Sequence, residues 1–287
     1  MTRFDRKGVS NVIASIMILG IMTSILGMIF TTYVPAMAAS IQYAHMSQVN
    51  RDLLDLKSNI DVQIVRGDVG VTMSSVITLG DSGGPFLGVG SNTGGLTFSS
   101  ANTPANMYNR TTPTESYAQG SGMISYNSNN DRIVNKNYFF EHDAMIVEQG
   151  NKDTAVMAIK PNIYLSKSGS NIDLSYTAIS LVGDSVSRSG TQTIGVTSTL
   201  ISTQTLNYYY GQRNGIKDVS LNLSTTHTDV WFHYFNDTLC NKTRTGLVKN
   251  TDFKITIDIN SNWIRLDIYK VYSLMATSAI VQLDFKD

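Results

Sequence analysis

Hydrophobic positions fall into three regimes along this chain. The first is an unbroken apolar run. From Gly8 to Asn50 there is no Asp, Glu, Lys or Arg, and Val9–Phe30 holds only apolar, Gly, Ser, Thr and Asn residues. A bilayer core of about 30 Å needs roughly 20 residues of helix, so this stretch predicts one membrane span. Its Ser and Thr hydroxyls can bond back to their own helix. The second regime has a helical period. Met37, Ile41, Ala44, Gln48, Val49, Leu53, Leu56 and Ile60 recur at helical spacing, with Asp52, Asp55 and Lys57 on the other side. Together the two regimes predict one helix over about Val9–Asn59, near 75 Å long. Its lower half suits lipid and its outer half suits docking on a head, and Pro35 is expected to bend it.

The third regime alternates. Ile60–Val65, Val69–Val71 and Val76–Leu79 read as short strands, and Phe253–Ile259 is apolar at every odd number. Ala155–Ile159, Ile172–Leu181, Gln192–Ser202, Trp263–Val271 and Ala279–Phe285 are further strands. Gly80–Asn130 is rich in Gly, Ser, Thr and Asn. Phe86, Leu87, Leu96, Phe98, Tyr108, Tyr117, Met123 and Tyr126 spread through it predict an ordered excursion, not a linker. Within 228–240 we expect a short helix capped by Thr228 or Asp229, with Val230, Trp231, Tyr234, Phe235 and Leu239 on its apolar side. The fold class is therefore α+β: a long hydrophobic helix followed by a mostly β head built as an antiparallel sandwich or stacked sheets. The expected division is a leader over 1–8, the helix over 9–59 and the head over 60–287, with the excursion spanning 80–132.

Only 15% of residues are charged, 22 basic against 22 acidic, where soluble domains carry about 25%. With no basic face to displace counterions from phosphates, nucleic-acid binding is not expected. The single cysteine, Cys240, allows no internal disulfide. Arg3, Arg6 and Lys7 precede the span, and no basic residue follows until Arg51. The positive-inside rule places Met1–Lys7 in the cytoplasm and the head outside. Ala36-Met37-Ala38 fits a secretory cleavage pattern, but such apolar regions run about 7–15 residues, shorter than this one.

Arg6-Lys7-Gly8, followed by Val9-Ser10-Asn11-Val12-Ile13, resembles the class III signal peptide of archaeal type IV pilins and archaellins. The resemblance implies a prepilin peptidase as partner, cutting after Gly8 so that Val9 becomes the mature N-terminus and the helix stays in place. Arg6, Lys7, Gly8 and Val9 are thus the processing residues. The sequence departs from many pilins at the fifth mature position, where Ile13 stands in place of Glu. The head is similar to a group of archaeal pilin-like surface proteins. The likeness rests on Tyr138-Phe139-Phe140-Glu141-His142-Asp143-Ala144-Met145-Ile146-Val147, Ala158-Ile159-Lys160-Pro161-Asn162-Ile163 and the Trp-containing helix near residue 231. It implies a β-rich head without known catalytic residues.

Gly80-Asp81-Ser82-Gly83-Gly84-Pro85 spells the sequence around a chymotrypsin-like nucleophile. That chemistry needs a histidine oriented by an aspartate. The upstream His45 lies on the predicted helix, with too little chain before Ser82 for the two barrels of that fold. A Gly-rich turn is the expected reading. His45, His142, His227 and His233 show no metal-ligand spacing, and Asn127–Asp131 shows no EF-hand pattern. No metal, cofactor or enzymatic activity is expected. Asn109, Asn222, Asn236 and Asn241 head N-x-S/T sequons, glycosylation candidates if the head is outside. Two of them flank Cys240 and predict an exposed loop there.

These readings converge on a pilin-like structural subunit or pilus-associated component of an archaeal extracellular filament, with adhesion through segments such as Tyr208-Tyr209-Tyr210. Its location would be the membrane and outer surface, or the filament after processing. Ile16, Leu19, Gly20, Leu26, Gly27 and Ile29 are the expected packing positions for self-association or for other pilins. Small residues let helices approach closely. The alternative is a membrane-anchored surface or ligand-binding protein that never polymerises.

Overall fold

A computed structural model describes residues 6–83, 90–209, 217–241 and 245–286. The N-terminal rod comprises helix α1 (Arg6–Met28), a π-helical turn (Ile29–Tyr33) and helix α2 (Val34–Arg66) without a break. Val12–Arg66 is 55 residues, about 80 Å at 1.5 Å per residue. Pro35 falls in the first turn of α2. The chain widens one turn ahead of it: the Val34 N–H reaches the Ile29 carbonyl five residues back. A wider turn just before a proline gives its ring room against the preceding turn.

The rod runs past Asn59, so the strand expected at Ile60–Val65 is instead the last two turns of α2. Ile60, Val62 and Ile64 fit a period of two, but Leu53, Leu56, Ile60 and Gln63 complete a helical stripe whose members are all buried. Gly67 ends the helix. Its φ of 69° is left-handed and its N–H bonds to the Gln63 carbonyl. Val69–Val71 is a turn, not a strand.

Fifteen strands follow among the described residues. The first five are β1 (Thr72–Thr78), β2 (Thr93–Ser99), β3 (Ala105–Asn109), β4 (Ser116–Gly120) and β5 (Met123–Asn129). Next come β6 (Lys136–Glu141), β7 (Ala144–Gln149), β8 (Asn151–Ile159), β9 (Ile163–Ser168) and β10 (Asn171–Val182). The last are β11 (Val186–Gly190), β12 (Thr193–Tyr209), β13 (Lys217–Ser224), β14 (Phe253–Asp258) and β15 (Trp263–Lys286). Over its described residues the excursion is ordered and holds β2–β5; Phe86 and Leu87 lie outside them. Helix α3 (Thr228–His233) and a π-helical turn (Tyr234–Leu239) interrupt the run. The N-cap of α3 is His227 rather than Thr228 or Asp229. No side chain caps it: the His227 ring is engaged with Glu148, and its backbone N–H donates to the Thr225 hydroxyl.

The strands form a nine-stranded and a six-stranded sheet. β15 is the spine of the larger one. The two strands expected at Trp263–Val271 and Ala279–Phe285 are one strand of 24 residues, kinked at Lys270, where φ is +58°. One edge pairs with β12 and then β13, the other with β10, in parallel, and then β14. The six-stranded sheet runs β11-β2-β5-β6-β7-β8, antiparallel throughout.

Two cores result. In one, Met46, Val49, Leu53, Leu56 and Ile60 of α2 wedge between Phe98, Tyr126 and Phe140 of the small sheet and Ile77, Val196 and Val281 of the large one. In the other, Trp231 and Phe235 cover Leu174, Leu221, Leu266 and Ala276. β7 serves both: Ala144 and Ile146 face the Trp231 core and Met145 the helix core. Burying each large side chain of the α2 stripe contributes about 1.5–3 kcal/mol. We predict that Leu56→Ala, at a position 2% exposed, destabilises the head by about 2–5 kcal/mol. Urea unfolding of the full chain in detergent, followed by tryptophan fluorescence, measures this.

Candidate functional site

The lower half of the rod carries no charge beyond its first turn and is not covered by the chain itself. Ile16, Leu19, Leu26 and Ile29 are all exposed. Gly20 and Gly27 have open space where a Cβ would stand. The polar side chains neutralise themselves internally. Thr23 bonds to the Leu19 and Gly20 carbonyls, Ser24 to Gly20 and Thr31 to Gly27. The expected packing positions therefore sit on a bare apolar cylinder suited to lipid or to other helices. Arg6, Lys7, Gly8 and Val9 form the first turn of α1.

The upper half is locked to the head by charge as well as by packing. Lys57, on α2, is buried. Its Nζ lies 2.7 Å from Asp143 Oδ1 and 2.9 Å from Asp61 Oδ2. Asp143 stands at the tip of the β6–β7 hairpin, where His142 and Asp143 have φ of 49° and 65°. Two left-handed residues make the tightest hairpin turn, usually Asn-Gly, and here neither is glycine. Each side chain makes a bond that offsets the strain. The His142 Nε2–H donates to the Ser224 carbonyl at 2.8 Å, and the Asn162 N–H donates to Asp143 Oδ2 at 2.8 Å. Burial disfavours the Lys57 ammonium, but the Asp143 carboxylate, reinforced by Asp61, holds its pKa above the ordinary lysine value. Burial also keeps His142 neutral, its pKa lowered.

Directly beside this turn lies a second buried cluster. Glu141 Oε1 accepts from Trp231 Nε1 at 3.0 Å and from the Thr225 hydroxyl, and lies 3.8 Å from His227 Nδ1. The other ring nitrogen of His227 is 3.1 Å from Glu148 Oε1. Burial opposes the His227 charge, but hydrogen bonding and charge from Glu141 and Glu148 raise its pKa. Burial would likewise raise Glu141, yet hydrogen bonds from His227 and Thr225 leave its pKa lowered. The His227 ring is thus clamped between two carboxylates, tying α3 to β6 and β7. Sequence reasoning missed both clusters. Their one local signal is Glu141-His142-Asp143, three consecutive ionisable residues inside an apolar hairpin.

The remaining candidates separate. His45 is buried on α2. Its Nε2–H donates to the Tyr126 hydroxyl at 3.1 Å, which in turn donates to the Leu79 carbonyl. Burial lowers its pKa. Ser82 is exposed beside an isolated bridge between Asp81 and Asn92, and Gly83, at φ 89°, follows it with its N–H on Asp81 Oδ1. Asp131, in the loop after β5, accepts from Gln42 of α2. No group of three metal-ligating side chains occurs among the described residues. Of the sequon asparagines, Asn236 and Asn241 are partly exposed near the end of the π-helical turn. Asn109 is 3% exposed and its amide donates to Glu115. Asn222 lies within β13, between β3 and β15. Cys240 is not in an exposed loop. It is 3% exposed in the Trp231 core, because the π-helical turn rolls it inward behind Leu239, and burial pushes its thiol pKa up to about 12.

The His227 clamp has a pH signature. A histidine whose folded pKa is raised contributes stability that is fully present below its ordinary value of 6.5 and is lost as pH rises through the folded pKa. We predict that the wild-type head loses stability on the alkaline side of that value. His227→Gln should be less stable at pH 6 and should lack this alkaline decline, as read from urea midpoints across pH 6–9.

No curated protein and no solved structure matches the chain. One family model matches residues 7–272, from the first turn of α1 into β15, so rod and head fall within a single match. The chain belongs to the family of unknown function DUF7289.

Proposed function

We propose that the chain is a pilin-like structural subunit, or pilus-associated component, of an archaeal-type extracellular filament. Its role in this reading is structural and not enzymatic. The observation that carries the reading is the two-part rod. One continuous helix is bare and apolar below Phe30, while above Pro35 it is welded to a β head by a buried hydrophobic stripe and the Lys57–Asp143 pair. Such a subunit stands in the membrane with its head outside. Once the leader is cut after Gly8, the bare half can transfer from lipid to the same halves of neighbouring subunits. The exposed apolar area is large, and at about 25 cal/mol per Å² its burial is worth tens of kcal/mol. It therefore needs either lipid or partner helices. Gly20 and Gly27 permit close approach. On an outer surface Asn236 and Asn241 would be the accessible glycan acceptors, and Tyr209, 73% exposed, the most open adhesive side chain of its segment. Tyr210 lies outside the described residues.

Processing and assembly are tested together. Intact mass of the native protein is expected to begin at Val9, with Gly8→Trp leaving an uncut precursor. A chain that begins at Met1 or Ala39 contradicts the processing step. Shearing cells is expected to release detergent-independent, sedimentable fibres. Retention in the membrane pellet, with a monomer in detergent, would leave an anchored surface module.

A further inference from the structure

Beyond Leu200 the outer edge of β12 carries no charge, and the described structure approaches it only where Gly67, at the end of α2, lies beside Thr203. β1 pairs with it only as far as Thr199, and Gly70 and Val71 bond to Leu200. On its other side β12 stays bonded to β15 out to Tyr209. Over Ser202–Asn207 no backbone hydrogen bond reaches the outer edge among the described residues. An open edge is a template for another strand, and proteins blunt such edges with charge, proline or covering elements. The other boundary strands are blunted in this way. The outer edge of β1 is capped from α2: the Thr78 N–H donates to Asp52, and the Ser74 carbonyl accepts from Asn59. β8 carries Asp153, β9 carries Lys167, β11 carries Arg188, β14 carries Lys254, and β4 begins beside Glu115. By contrast, Gly190–Tyr209 holds no Asp, Glu, Lys or Arg and no proline.

We propose that the Ser202–Asn207 edge pairs antiparallel with the same edge of a second copy of this chain, joining two heads into one continuous sheet. A second copy fits better than a foreign peptide because an uncharged edge has nothing with which to select one and nothing to repel its own twin. Pairing centred on Gln204 sets Thr203 against Thr205 across the twofold axis. The chain already uses that type of cross-strand contact, Thr205 to Thr277 at 3.0 Å and Thr72 to Thr199 at 2.9 Å. The edge spans about 20 Å. Anchoring by α1 would hold heads on one side of one membrane and raise their effective concentration. The inference needs two heads side by side and does not depend on filament formation.

Site-specific cross-linking of the full chain in lipid nanodiscs tests it. Cys240 is buried and serves as the silent background. Gln204→Cys, which faces its own twin across the twofold axis, is expected to give covalent dimers on oxidation, whereas Ser187→Cys, exposed on β11, is not. Thr203→Lys with Thr205→Lys places like charges opposite each other and should lower association about tenfold or more. Thr203→Glu with Thr205→Glu should do the same, and mixing the two variants should restore association. Circular dichroism checks that each variant folds, and if either does not, the Gln204→Cys result decides alone. Absence of Gln204→Cys dimers, or dimers indifferent to the charge variants, overturns the proposal. So does an edge that cross-links only to a different protein.

Discussion

A lysine in the middle of a helix and an aspartate at the tip of a hairpin share one buried contact, and the arrangement of rod and head depends on it. Neither ion tolerates burial alone. Removing one member of such a pair typically costs 3–5 kcal/mol, even where the intact pair adds little net stability. Lys57 therefore fixes the hairpin against α2, and Asp143, through the Asn162 N–H, fixes the start of β9 against the hairpin. The turn adopts two left-handed residues to present those groups. His142 and Glu141, neighbours on the same turn, extend the attachment to the end of β13 and to α3. One strained turn thus couples the rod to both cores, and β7, with each face in a different core, makes that coupling mechanical as well as electrostatic.

The pair gives specificity of placement where apolar packing alone would allow sliding. A helical stripe such as Val49, Leu53, Leu56 and Ile60 can slip by a turn on a smooth apolar surface at modest cost. A buried ammonium that must meet Asp143 cannot, because a shift of one turn would leave it without that carboxylate. Gln63 acts in the same sense nearly two turns further on, where its amide donates to the Val71 and Ser198 carbonyls. Register between rod and head is thereby set by polar groups inside an apolar seam.

How much of this was legible follows from the range of each interaction. The apolar span was plain, since a long charge-free run is a local property. The end of the rod was not, because Ile60, Val62 and Ile64 satisfy both periods, and the decision lay in Gly67 and in contacts to strands far along the chain. β15 read as two strands because Tyr272–Ser278, between the two expected segments, does not alternate cleanly between apolar and polar residues. Cys240 read as loop because its flanking sequons are polar, whereas the π-helical turn rotates it inward. The buried clusters were illegible for a different reason. Lys57 and Asp143 are 86 residues apart, and Glu141 and Trp231 are 90 apart, so only the folded topology brings them together.

The central claim is that the upper rod and the head are a single cooperative unit while the lower rod is independent of it. Hydrogen exchange of the full chain in lipid nanodiscs tests this most directly. The account predicts that amides of 46–63 exchange at the slow rate of β12 and β15, through global unfolding of the head. It also predicts that amides of 12–28 are protected in nanodiscs by lipid and keep their rates when the head is destabilised with urea. Fast exchange of 46–63 while the β core stays protected would show a rod that only rests on the head, and would contradict the account.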